Sequence, residues 1–261
     1  TSSVGNSNDK ITTSGANSEA SNTASSKKVK VGLITLHDEQ STYDKNFIDA
    51  MYAALEEMGI DKSQLVLYTG VAETEDCYNK AKECVNQGCQ VVFADSFGHE
   101  DFLIAAAKKC KNTRFAHATG TKAHTVKLAN FSNAFASIYE GRYLAGVAAG
   151  MKLASMNTDH KIGYIAAHPY AEVISGYTSF YLGAKSVCPS ATMEVKYTNS
   201  WASFDLEKEC AEAMIADGCV LIGQHADTSG APTACQAAGV PCVGYNVSMI
   251  EAAPAAALHS S

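Results

Sequence analysis

His37, Asp38, Ser41, Tyr43 and Asp44 crowd one short stretch of the chain, and Asp95, Ser96, Phe97, Gly98 and His99 crowd another. Comparable clusters follow: Asn130, Ser132 and Asn133; His168 and Tyr170; Asn199 and Trp201; Gln224, His225 and Asp227; Tyr245 and Asn246. Aromatic faces stack on flat rings, while carboxylates and amides accept or donate hydrogen bonds to vicinal hydroxyls. This mixture suits a planar heterocycle carrying a hydroxylated sugar better than an inorganic ion. Several of these residues have a plainer use as well. Asp38 and Asp44 are placed to cap a helix, and Trp201 could serve packing in the loop NSWASFD as readily as binding.

Catalytic signatures are missing. The chain has no GxSxG elbow, no GxxxxGK[ST] phosphate loop, no GxGxxG after the first strand and no HExxH. His225, Asp227 and Ser229 are triad residue types, but sequence neighbours rarely adopt that geometry. The expectation is a binding protein without an enzymatic step, a cofactor or a metal. Net charge is −7, with 20 Lys and Arg against 27 Asp and Glu. That balance lacks the basic footprint a nucleic-acid partner requires.

Each polar cluster follows a short apolar run, which tells what must hold it. VKVGLITL precedes the first and KIGYIAA, from Lys161, precedes the His168 cluster; both lead on into helical periodicity. Further strands are read at 65–69, 90–95, 114–119, 127–132, 193–198, 219–225 and 241–246. Phe47, Met51, Ala54, Leu55 and Met58 make the first helical stripe, and a long helix over 135–153 carries Gly146 and Gly150 for close approach to a neighbour. Strand, helix, strand with short links implies parallel pairing and right-handed crossovers. The fold class is therefore α/β: two Rossmann-like lobes with parallel sheets, residues 28–133 and 134–261, with strand ends facing across a cleft. The last stretch, SMIEAAPAAALHSS, offers no terminating helix, so the second lobe is expected to be incomplete.

Residues 1–27 are dominated by Ser, Thr, Asn, Gly and Ala, too polar to offset backbone ordering, and read as a disordered tether to an upstream anchor. Nine cysteines without a CxxC are read as buried thiols acting as small apolar groups, with disulfides as the other possibility.

The segments VGLITLHDEQSTYDKNFIDA, VVFADSFGHEDFLIAAA, NFSNAFASIYEGRYLAGVAAG, KIGYIAAHPYAEVISGYTSFYLGA and CVLIGQHADTSGAPTAC resemble the basic membrane protein family of ABC-transporter substrate-binding lipoproteins. SFGHED, YEGRYLAG and GQHADTSGAP carry most of the likeness. The resemblance implies a type I periplasmic-binding-protein fold, extracytoplasmic and lipid-anchored through an upstream segment. It also implies capture of a nucleoside by lobe closure and delivery to a membrane permease. By motif, Asp38, Tyr43 and Phe47 fall in the first ligand loop and Ser96 and Phe97 in the second. Asn133 follows the fifth strand, and Trp201, Gln224, His225, Asp227 and Asn246 fall in the loops of the second lobe. A ligand-sensing domain of the same fold, or a nucleoside-processing enzyme, are the alternatives.

Overall fold

The computed structural model describes residues 29–260; the expected tether at 1–27 lies outside them. The first sheet is built from β1 (Val31–Ile34), β2 (Leu65–Tyr68), β3 (Val91–Ala94), β4 (Arg114–Ala118) and β5 (Phe131–Ala134), all parallel, in the order β2-β1-β3-β4-β5. Helices α1 (Thr42–Glu57), α2 (Glu75–Asn86), α3 (Glu100–Lys109) and the single turn α4 (Ala123–Val126) connect them. After α5 (Ile138–Ala154) the pattern restarts with β6 (Lys161–Ala166), α6 (Ala171–Val187), β7 (Thr192–Tyr197), α7 (Phe204–Ala216), β8 (Leu221–Gln224), α8 (Gly230–Ala238), β9 (Cys242–Gly244) and β10 (Ala257–Ser260). The second sheet, β7-β6-β8-β9-β10, repeats the order of the first strand for strand. Both halves therefore reverse direction at an equivalent point, between β1 and β3 and between β6 and β8, where α/β sheets open a crevice.

The strands are central because their side chains are apolar on both faces: Leu33, Ile34, Val92, Ile162, Ile165 and Leu221 are fully buried. Burying each of them contributes about 1.5–3 kcal/mol. Helices α5 and α6 approach closely, since a Cβ built on Gly146 would stand 2.0 Å from the Phe180 carbonyl oxygen, and one on Gly183 2.1 Å from that of Tyr143. All nine cysteines are free thiols, seven of them buried. Burial pushes the Cys77 and Cys84 thiols up to about 12.

Four expectations need correction. The buried face of α1 is Asp44, Ile48 and Leu55, whereas Ala54 and Met58 face solvent. A carboxylate replaces an apolar residue at the inner end of that stripe, which hid its true phase. Residues 127–130 are not strand: Lys127 takes a left-handed conformation (φ 50°) that ends α4. Asn130 then donates to the carbonyls of Ala107, Cys110 and Thr113, and β5 starts only at Phe131. The long helix begins at Ile138 rather than 135. Finally, the terminal stretch does contain an ordered element, β10, which pairs in parallel with β9 at the sheet edge.

Candidate functional site

The two crevices face each other across a cleft of about 520 Å³, a volume that includes space open to solvent, lined by Leu36, His37, Tyr43, Asp44, Ser96, Phe97, Thr119, Tyr170, Glu172, Trp201, His225, Asp227 and Tyr245. Each of these residues follows a strand end, from β1, β3 and β4 on one side and β6, β7, β8 and β9 on the other. Among the described residues, no lysine or arginine lines the cavity.

On the first-lobe side, the loop after β1 folds back on the start of α1. Ser41 caps that helix by accepting from the Asp44 N–H, and the Asp44 carboxylate accepts from the His37 N–H at 3.0 Å and pairs with its Nδ1 at 3.2 Å. Burial opposes the charge of Asp44, but hydrogen bonds from the His37 ring, Ser41 and the His37 backbone outweigh it and hold the carboxyl below its usual range. Behind it, burial and then the neighbouring Asp44 push Asp95 well above the usual carboxylate range. Tyr43 donates its hydroxyl to the Asp95 carbonyl at 2.8 Å, turning its ring toward the cavity.

The loop after β3 is pinned by Glu73, which accepts from Ser96 Oγ at 2.6 Å and the Gly98 N–H at 2.7 Å. That anchorage projects Phe97 outward, and its ring stacks on Tyr170 of the other lobe with centroids 5.3 Å apart at 27°. His168 and Trp201 extend the aromatic wall, His168 lying 5.3 Å from Tyr170 and 4.9 Å from Trp201. Thr119 has φ 62°. For a β-branched residue that is strained backbone, at the rim of the cavity.

On the second-lobe side, His225 Nε2 donates to Glu172 at 3.1 Å. Burial, followed by the Arg142 guanidinium, holds the imidazole below its ordinary value, so it is neutral at pH 7. Asp227 is pushed well above the carboxylate range by burial and then by Glu207. Its carbonyl accepts from the Thr42 N–H at 2.9 Å and Thr42 Oγ1 at 3.1 Å, directly joining the lobes. Asn246 Nδ2 donates to Asp227 Oδ1 at 2.9 Å and Thr42 Oγ1 at 3.2 Å, and Asn46 donates to the Asn246 carbonyl at 3.0 Å. The lobes are thus held closed around the cavity by hydrogen bonds from one helix terminus to two strand ends.

Of the residues singled out in the sequence, Tyr43, Ser96, Phe97, Trp201, His225 and Asp227 come together at this cavity. Asp38 does not: it is exposed and accepts from the Gln40 N–H in its own turn. Phe47 packs behind Tyr43 and against Phe93, at 4.9 and 5.8 Å. Asn133 is engaged by the Ala123 N–H and by Glu100. Gln224 donates to the Ala226 and Thr228 carbonyls, which shapes the loop carrying Asp227, and Asn246 serves the lobe contact described above. Asp38, Asn133, Gln224 and Asn246 thus already have hydrogen-bond partners within the chain. Leu36, Thr119 and Glu172 were not singled out. Glu172 sits in the first turn of a helix, where a carboxylate ordinarily serves the helix end, and only the fold brings it to His225.

Among the described residues no cluster of His, Cys, Asp or Glu could hold a metal ion, and no helix is long and apolar enough to cross a membrane. The arrangement can stack a flat ring and accept hydrogen bonds from it.

Comparison with known proteins agrees with this geometry. The chain is 35% identical over 230 residues to the purine-binding protein of Brucella abortus (strain 2308), a match covering 87% of this chain and 63% of that protein. It is 36% identical over 182 residues to a putative ABC transporter glucose-binding protein of Haloferax volcanii, covering 70% of this chain and 44% of the other. The chain therefore spans less than two thirds of the length of these relatives. Among solved structures, an ABC transporter solute-binding protein from Aeropyrum pernix K1 superimposes with a TM-score of 0.72 at 16% identity, over 85% of this chain and 63% of that one. That likeness establishes the fold. Residues 29–261 match the family described as ABC transporter substrate-binding protein PnrA-like, and with the two-lobed fold this makes the chain a member of the Bmp family of ABC transporter substrate-binding proteins.

Proposed function

We propose that this chain captures a purine nucleoside between its lobes for an ABC importer. The observation that carries the reading is the cavity's composition: aromatic rings from both lobes, carboxyls at both ends and, among the described residues, no cationic side chain. Phe97, Tyr170 and Trp201 supply stacking faces for a base. Asp44 and Glu172, each held below its usual range once its hydrogen bonds outweigh burial, accept from ribose hydroxyls or ring N–H groups. Tyr43, Ser96, His225 and Asp227 complete the contact set. A phosphate would meet the carboxyls of Asp44, Glu172 and Asp227 and no cation among the lining residues, so a nucleoside is favoured over a nucleotide. The Brucella relative, a purine-binding protein, supports a purine as the base.

The protein's partner in this reading is a membrane permease that receives the ligand from the closed form. Its location is extracytoplasmic, with a lipid anchor upstream of the polar residues 1–27, whose composition suits a spacer. The glucose-binding relative favours a second reading, a hexose stacked on Trp201 and held by the same carboxylates. Calorimetry of the chain against inosine, guanosine, adenosine, their monophosphates and glucose separates the two. Saturable heat with a purine nucleoside and none with its monophosphate supports the first reading. Heat with glucose alone overturns it.

A further inference from the structure

Arg142 heads the fully buried side chains among the described residues, at 1% exposure, yet it does not line the cavity. It rises from α5, the first helix after the first sheet, and passes beneath the second-lobe wall. Its guanidinium carbon lies 3.7 Å from the centroid of the Tyr245 ring, and Nη1 donates to the Gln224 carbonyl at the end of β8 at 2.9 Å. Helix α6 passes close by: a Cβ on Gly176 would press on His225 Nδ1 at 3.2 Å and stand at ordinary contact distance, 3.7 Å, from Arg142 Nε. An apolar side chain would fill this space without the several kcal/mol that burying a cation costs, so packing alone does not account for an arginine here.

We propose that Arg142 is the positioning residue of the second-lobe wall, fixing the plane of Tyr245 and the end of β8 from behind and presenting the positive charge that Glu172, His225 and Asp227 face. The planar guanidinium is suited to both tasks, because it stacks on a ring while donating in its own plane. The ionisable groups around it are Tyr164 of β6, Glu172 of α6, His225 and Asp227 in the loop after β8, and Tyr245 after β9. Burial first, and then this cation, hold His225 below its ordinary value, while Glu172 pulls the other way. Removing the charge leaves Glu172 unopposed, and His225 then protonates at higher pH. The inference rests on the nucleoside reading for its ligand, but its first readout needs none.

The test is a histidine-15N NMR titration of His225 in the wild type, Arg142→Met and Arg142→Lys, with a His225→Gln variant to assign the signal, alongside calorimetry with inosine from pH 5 to 8. In Arg142→Met the His225 midpoint moves up by about one pH unit or more, and inosine affinity falls at least about tenfold, with a loss that deepens toward low pH. Arg142→Lys keeps the charge but not the plane, so the His225 midpoint stays put while affinity still falls. An unchanged midpoint in Arg142→Met overturns the proposal. If the methionine variant fails to fold, wild-type inosine affinity in Arg142→Lys overturns it equally. A wild type that ignores inosine while the midpoint moves in Arg142→Met refutes the nucleoside reading and leaves the role of Arg142 standing.

Discussion

Replacing Asn246 by alanine and by glycine separates two contributions to lobe closure. Asn246 has φ 66°, a left-handed conformation, and its amide bridges Asp227 of one lobe and Thr42 of the other. Two neutral hydrogen bonds contribute about 0.5–1.5 kcal/mol each, and alanine in a left-handed conformation costs about 1–2 kcal/mol that glycine does not. Only the bond to Thr42 crosses between the lobes, so either variant weakens the closed form by about 0.5–1.5 kcal/mol, and Asn246→Ala adds about 1–2 kcal/mol of strain that lowers overall stability. A loss near 1 kcal/mol shifts the ratio of open to closed molecules about fivefold. Small-angle X-ray scattering reads that shift as a larger radius of gyration without ligand, and urea unfolding gives the stability difference between the two variants. Equal stability of the two variants would refute the strain argument, and wild-type scattering from both would refute the bridge.

Gly146→Ala places a methyl group against the Phe180 carbonyl, and overpacking of this kind lowers stability by about 1–3 kcal/mol or more, read as a lower thermal midpoint. Burial pushes the Glu207 carboxyl up to about 7 against hydrogen bonds from Thr228 and Ser203. The folded state thus holds a proton that the unfolded state releases, and stability falls as pH rises from about 4.3 toward 7. Glu207→Gln removes that slope, so its stability relative to wild type improves by up to about 3 kcal/mol between pH 4.5 and 8, measured by urea midpoints. An unchanged difference across that range would contradict it. Cys77 and Cys84, with thiols near 12 and no exposure, should resist iodoacetamide at pH 8 in the folded protein and react once urea is added, as peptide mass spectrometry reports.

The sequence displayed its architecture because the strand-to-loop pattern occurs twice, and apolar runs of four to six residues ending in polar clusters are hard to read otherwise. β10 escaped notice for a physical reason. Its residues, ALHS, carry no β-branched side chain and follow Pro254 closely, so pairing with β9 across a register shift, not local preference, makes them a strand. The cavity was legible at the level of loops and less so at the level of side chains. Loop position identifies what could face a ligand, but whether Gln224, Asn133 or Asn246 does so depends on which backbone groups nearby need partners. Those partners come from distant parts of the chain, as Thr42 does for Asn246. Arg142 was hidden for the opposite reason: in a helix rich in alanine and glycine, a single arginine reads as a solvent-facing charge.

Trp201 is the only tryptophan in the chain, and it lies in the cavity wall. Its fluorescence therefore reports occupancy of that wall and nothing else. Titrating the protein with inosine should change the emission saturably, with the same dissociation constant that calorimetry gives, and Phe97→Ala should weaken both together. Binding detected by calorimetry with unchanged Trp201 emission would place the ligand outside the space between the lobes and contradict the account.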